Sequence, residues 1–117
     1  MAPIPPSRMT EMPKYLYQGS YTQTGAQGLL KEGGTSRRDT ISALAKSMGG
    51  RVEAFYFAFG GDDFHVIVDV PDNATAAALS LAVAAAGTVN LTTTVLIDPE
   101  EIDAAAKKTV NYRSPGQ

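Results

Sequence analysis

One stretch restricts the fold more than any other: Ala54–Val70, AFYFAFGGDDFHVIVDV. Two apolar runs flank the four residues Gly60-Gly61-Asp62-Asp63, the pattern of a β-hairpin. Its first strand, Arg51–Phe59, alternates Phe55, Phe57 and Phe59 with Val52, Ala54, Tyr56 and Ala58, so both faces are apolar. A sheet with one wet face alternates apolar with polar residues. This strand therefore asks for a covering layer on each side, from helices or from another subunit. The second strand, Phe64–Val70, puts Phe64, Val66, Val68 and Val70 on one face and His65, Ile67 and Asp69 on the other.

The remaining elements follow from periodicity and punctuation. Lys14–Tyr21 reads as a strand, with Tyr15, Tyr17, Gly19 and Tyr21 on one face and Leu16 and Gln18 on the other. Thr22–Lys31 reads as a short helix with Leu29 and Leu30 as apolar contacts, interrupted by Gly33-Gly34. A new helix start is expected at Thr35, or at Ser36 paired with Asp39 in a capping box. Ile41, Leu44, Ala45 and Met48 then recur at helical spacing, and Gly49-Gly50 stops the run. Asp72 or Asn73 caps an alanine-rich helix over 74–86, closed by Gly87. In the strand Thr88–Ile97, Val89, Leu91, Thr93, Val95 and Ile97 alternate with Asn90, Thr92 and Thr94. Asp98-Pro99-Glu100-Glu101 opens a last helix, with Ile102 and Ala105 as its expected anchors.

The order β-α-β-β-α-β plus a helix predicts an α+β, ferredoxin-like plait: a four-stranded antiparallel sheet with two helices on one face. The bare face could be covered by a second copy, which gives a dimeric α/β barrel. The domain is expected over residues 14–110, with a flexible extension at 1–13 and a tail at 111–117. The extension holds four prolines and little to bury, and a true start at Met12 is an alternative.

Composition narrows the function. The 117 residues carry a net charge of −2, so no clustered basic footprint for nucleic acid is expected. There is no cysteine and one histidine, which rules out disulfides, thiolate chemistry and a histidine-rich metal site within one chain. No apolar run reaches the roughly 18 residues of a membrane span, and the first residues lack the apolar core of a secretory signal. A cytoplasmic protein without a membrane partner is the expectation.

Several spaced segments resemble the GYD-domain family: MPKYLYQGSYT (12–22), LLKEGGTSRR (29–38), GGRVEAFYFAFG (49–60), VIVDVPDNATAAALSLAV (66–83), Asp98-Pro99-Glu100-Glu101, and Ala105 to Lys108. The resemblance runs from about Met12 to the C-terminus. It implies a dimeric α/β barrel whose function is not established. The family's namesake motif falls at the hairpin turn. Gly60 or Gly61 and Asp63 fit it, while Asp62 stands where the family usually has tyrosine.

The candidate site residues gather on one sheet face. His65, Ile67, Asp69, Asn90, Thr92 and Thr94 share it, and Tyr15 and Tyr17 join as ligand-binding residues if the register agrees. His65 could serve as a proton shuttle, a haem ligand or an interface residue. Asp69 is its acid–base companion candidate, although four strand residues separate them by roughly 13 Å. Asp62 and Asp63 could bind a cation or act as acid and base, but aspartate and glycine also make hairpin turns for conformational reasons. Thr35, Ser36, Arg37 and Arg38 open a helix with hydroxyls and two guanidiniums, a combination that can hold an anion. Tyr15, Tyr17, Tyr21 and Tyr56 could stack an aromatic ligand or simply pack. No cofactor is specified. Three functions follow: a homo-oligomeric small-molecule-binding protein with its site at the sheet face or barrel interior, a cofactor-independent or haem-using monooxygenase- or isomerase-like enzyme, or an interaction module without a ligand.

Overall fold

The computed structural model describes residues 12–117. The proposed N-terminal extension lies, up to residue 11, outside the described residues. Eight elements follow: β1 (Lys14–Tyr21), α1 (Gln23–Glu32), α2 (Gly34–Ser47), β2 (Arg51–Phe57), β3 (Phe64–Asp69), α3 (Asn73–Ala85), β4 (Val89–Leu96) and α4 (Pro99–Ala106). The sheet order is β2-β3-β1-β4, antiparallel throughout. This is the expected ferredoxin-like plait with an additional C-terminal helix.

Local chemistry explains most boundaries. Thr22 caps α1 by accepting from the Gly25 amide at 3.2 Å, and Asp72 caps α3 by accepting from the Thr75 amide at 2.8 Å. The start of α2 differs from expectation. Gly33, at φ 87°, ends α1 and opens α2 in one residue. Only glycine takes that conformation without strain. Thr35 and Ser36 therefore lie inside the first turn, the capping box is not formed, and Asp39 receives Arg38 instead. At α4, Pro99 stands at the first helical turn as expected, but Asp98 makes no side-chain capping bond.

The register sets what each face carries. A β-bulge between Val52 and Ala54 leaves Val52 opposite Val68 and Phe55 opposite Val66. Val52 thus joins Phe55 and Phe57, contrary to strict alternation, because the extra residue at Glu53 resets the parity. The strand also ends at Phe57, and Ala58–Asp63 close the hairpin through the Ala58 amide donating to the Asp63 carbonyl at 2.9 Å. Asp63 ties this turn to β1: its amide donates to the Gly19 carbonyl at 2.7 Å, and its carboxylate accepts from the Tyr21 amide at 2.9 Å.

The helices cover one face only, α2 over β2 and α3 over β4. The core lies beneath them: Tyr15, Tyr17, Phe64, Val66, Val68, Val70 and Val89, with Ala45 from α2 and Ala76 and Leu79 from α3. Beyond Asp98 the chain buries none of its residues among the described ones. Every residue from Pro99 to Gln117 is exposed, so Ile102 and Ala105 do not anchor α4 to the sheet. Among the described residues no helix is long and apolar enough to cross a membrane.

Candidate functional site

The two faces of the sheet offer different chemistry. On the helix side, α2 and α3 sit toward opposite edges, and a cleft remains between them. Its floor is Tyr17, Val66, Val68 and Leu91; Ile41 and Leu44 form the α2 wall, and Leu79 and Val83 the α3 wall. Tyr21, Phe64 and Arg37 complete it. The cavity volume is about 60 Å³, and the free space counted out through its mouth is about 580 Å³. From α2 the one fully buried residue at the cleft is the short Ala45; α3 reaches it through Leu79 and Val83, and every α3 alanine except Ala76 is exposed.

The polar atoms around the cleft are few. The Tyr17 hydroxyl donates to the Ala76 carbonyl at 2.7 Å, and the Tyr15 hydroxyl bonds Asn73 Oδ1. Burial pushes the Tyr17 phenol up to about 12. Tyr15 is also raised, by burial and then by the Asp72 charge. Tyr21 is raised by burial, against which the neighbouring Arg37 guanidinium pulls down. Its ring packs on Phe64 with centroids 5.5 Å apart.

Among the described residues no helix packs over the opposite face. Its central row runs Ala54, Ile67, Leu16 and Thr94, and the next runs Tyr56, His65, Gln18 and Thr92. His65 and Ile67 are half-buried, Tyr56 is 70% exposed, and Asn90, Thr92 and Thr94 are exposed. At the end of this face Asp69 is buried beneath two cations, Lys14 Nζ at 2.7 Å and Arg51 Nε at 2.8 Å. Lys14 also reaches Glu53 at 2.9 Å. The hydrogen bonds from Asp69 and Glu53 raise the Lys14 ammonium above its ordinary value.

This register divides the residues that the sequence grouped. His65, Ile67, Asp69, Asn90, Thr92 and Thr94 do share the open face. Tyr15 and Tyr17 do not join them, because odd-numbered residues of β1 face the helices while His65 pairs with Gln18. His65 and Asp69 are not brought together either; Asp69 belongs to the Lys14–Arg51 row. Thr35, Ser36, Arg37 and Arg38 do not converge on one point. Arg38 pairs with Asp39 at 3.3 Å, Thr35 and Ser36 are exposed, and Arg37 lines the cleft. Asp62 is exposed. Among the described residues no group of three or more His, Cys, Asp or Glu side chains gathers to hold a metal ion.

The cleft itself was not anticipated. Its lining comes from two helices and four strands that only the fold brings together, so no local stretch signalled it.

A four-stranded antiparallel sheet, hollow under its helices and bare behind, defines a ferredoxin-like α+β protein with one candidate ligand cleft per chain. Residues 15–106 match the GYD domain, from β1 to the end of α4, and the chain belongs to the GYD-domain family. No curated protein and no solved structure gives a match to it.

Proposed function

We propose that this chain is a homo-oligomeric small-molecule-binding protein. The cleft between α2, α3 and the sheet takes an apolar molecule, and the bare face pairs with a second copy. One observation carries both halves: the sheet is hollow under its helices on one side, and on the other it leaves a row of Ala54, Ile67 and Leu16 without a helix over it. The cleft has the character of a small-molecule site, concave and apolar with few polar groups. The bare face suits a copy of itself. Its middle is apolar, and its charged end balances two cations, Lys14 and Arg51, against two anions, Asp69 and Glu53, so like copies meet without net repulsion. The C-terminal arm points the same way. An isolated helix shorter than about 12–15 residues is marginal in water, yet α4 has eight residues and buries none of them.

Native mass spectrometry on gently purified protein tests the reading, because it weighs the assembly and any molecule retained in it. An even-numbered oligomer is expected, returned to single chains by Ile67→Asp, which sets a charge in the middle of the bare face. A bare monomer at micromolar concentration would sink the self-association half. A retained molecule that Val83→Trp expels, by filling the cleft wall, supports the binding half; retention in Val83→Trp refutes the location. A haem or acid–base role for His65 would place the site on the other face. A Soret band on haem titration, lost in His65→Ala, would move it there.

A further inference from the structure

We infer that the molecule held in the cleft is an apolar body carrying one anionic group of the carboxylate type, received by Arg37 at the rim. The inference rests on the cleft reading above and adds the chemical class of the ligand. It starts from an imbalance. Arg37 is the one charged residue among those that line the cleft. It is half-buried, in the first turns of α2. The adjacent arginine, Arg38, is matched by Asp39. Among the described residues, no carboxylate oxygen lies within 4.0 Å of the Arg37 guanidinium.

A partly desolvated guanidinium facing an apolar space lacks the water that would otherwise stabilise its charge. The Tyr21 phenol, which also lines the cleft, is neutral and is itself held protonated by burial. The nearby acids do not fill the vacancy. Asp63 is committed to the Tyr21 amide at 2.9 Å, and Glu32 is exposed at the end of α1. An incoming carboxylate would find two donors side by side, the planar fork of Arg37 and the hydroxyl of Tyr21. Bidentate pairing with a carboxylate is what the guanidinium geometry favours. The rest of the molecule would lie along Leu44, Val66 and Val83, where no side chain offers a polar partner. A cationic ligand would meet Arg37 with repulsion, and a neutral one would leave it unmatched.

Three ten-carbon probes test this by calorimetric titration of the full chain: decanoate, decanol and decylamine. Decanoate is expected to bind at least about tenfold tighter than decanol, with decylamine weakest. Arg37→Gln should remove that advantage, bringing decanoate affinity down to or below that of decanol. Arg37→Lys, which keeps the charge but not the fork, should retain part of it. Circular dichroism of each variant verifies that the fold persists. Equal binding of decanoate and decanol to the parent chain, or a decanoate preference that survives Arg37→Gln, overturns the anionic assignment and leaves the cleft reading standing. Binding of none of the probes, or binding undiminished by Val83→Trp, overturns the cleft reading itself.

Discussion

Asp69 gives the sharpest test of what this architecture relies on. Its carboxylate is the one charged side chain fully buried in the described chain, and it splits its two oxygens between Lys14 and Arg51. Those residues sit on β1 and β2, on either side of β3, so the pair of ion contacts clamps three strands at one end of the sheet. Asp69→Asn keeps the shape and removes the charge. One oxygen can still accept, but the amide now points a donor at a cation. A hydrogen bond to a charged group contributes about 1.5–3 kcal/mol, so losing two sets an upper bound of about 3–6 kcal/mol. The true loss is smaller. The side chains of Lys14 and Arg51 are 27% and 59% exposed and recover water, and Lys14 keeps Glu53. The variant is also relieved of burying a carboxylate. We expect a net loss of about 2 kcal/mol, a sizeable part of the roughly 5–15 kcal/mol that holds a domain folded. Urea unfolding at one fixed protein concentration reads it, since self-association makes the midpoint concentration-dependent. The midpoint should fall with the slope unchanged. A cycle with Lys14→Met should show coupling of about 1 kcal/mol, because the two residues share a partner network. A variant within about 0.5 kcal/mol of the parent, with no coupling, would refute the clamp. It would also return Asp69 to the list of groups free for acid–base work.

Three further outcomes follow from the packing. Gly19→Ala should abolish or severely weaken folding, since a β-carbon there would sit 1.8 Å from the Asn90 carbonyl oxygen and force β1 from β4; a near-native urea midpoint would contradict this contact. Alkaline pH should destabilise the protein. The Tyr15, Tyr17, Tyr21 and Lys14 protons are held more tightly when folded, so their contributions are complete below the ordinary values of 10.0 and 10.5 and are lost as pH rises through the folded ones, about 12 for Tyr17. Phenolate absorbance should accordingly still be rising well above the ordinary value, and completion of the whole rise in one wave centred at about 10 while the far-ultraviolet dichroism stays native would refute it. Removal of residues 98–117 should leave the protomer fold intact and lower the assembly mass or its resistance to dilution; an unchanged assembly would show that the arm has no part in it.

The fold was legible because its signals are local. Glycine pairs, an aspartate cap at Asp72 and proline at the start of α4 mark element ends whatever surrounds them, and the hairpin of apolar strands fixes the sheet. Faces were less legible, because a face depends on parity along the whole strand. One added residue at Glu53 moved Val52 to the helix side. The expectation that Tyr15 and Tyr17 might meet His65 turned on the pairing of β1 with β3, and no residue within either strand states that register.

The site was the least legible part, and the reason is physical. A cleft is a property of the distance between two helices, and neither helix states that distance in its own residues. Leu79 and Val83 read locally as ordinary apolar positions of a helix, and only the fold sets them across from Ile41 and Leu44 with the sheet beneath. The same holds for Arg37. In sequence it is one of two adjacent arginines at a helix start. The helix then separates them, because successive residues point about 100° apart around its axis. Arg38 goes to Asp39 at the surface and Arg37 to the cleft beside Tyr21. Two identical residues thus acquire different work from one turn of backbone, and the experiment on Arg37 is in effect a measurement of that difference: Arg38→Gln should leave decanoate binding as it is, while Arg37→Gln removes its advantage.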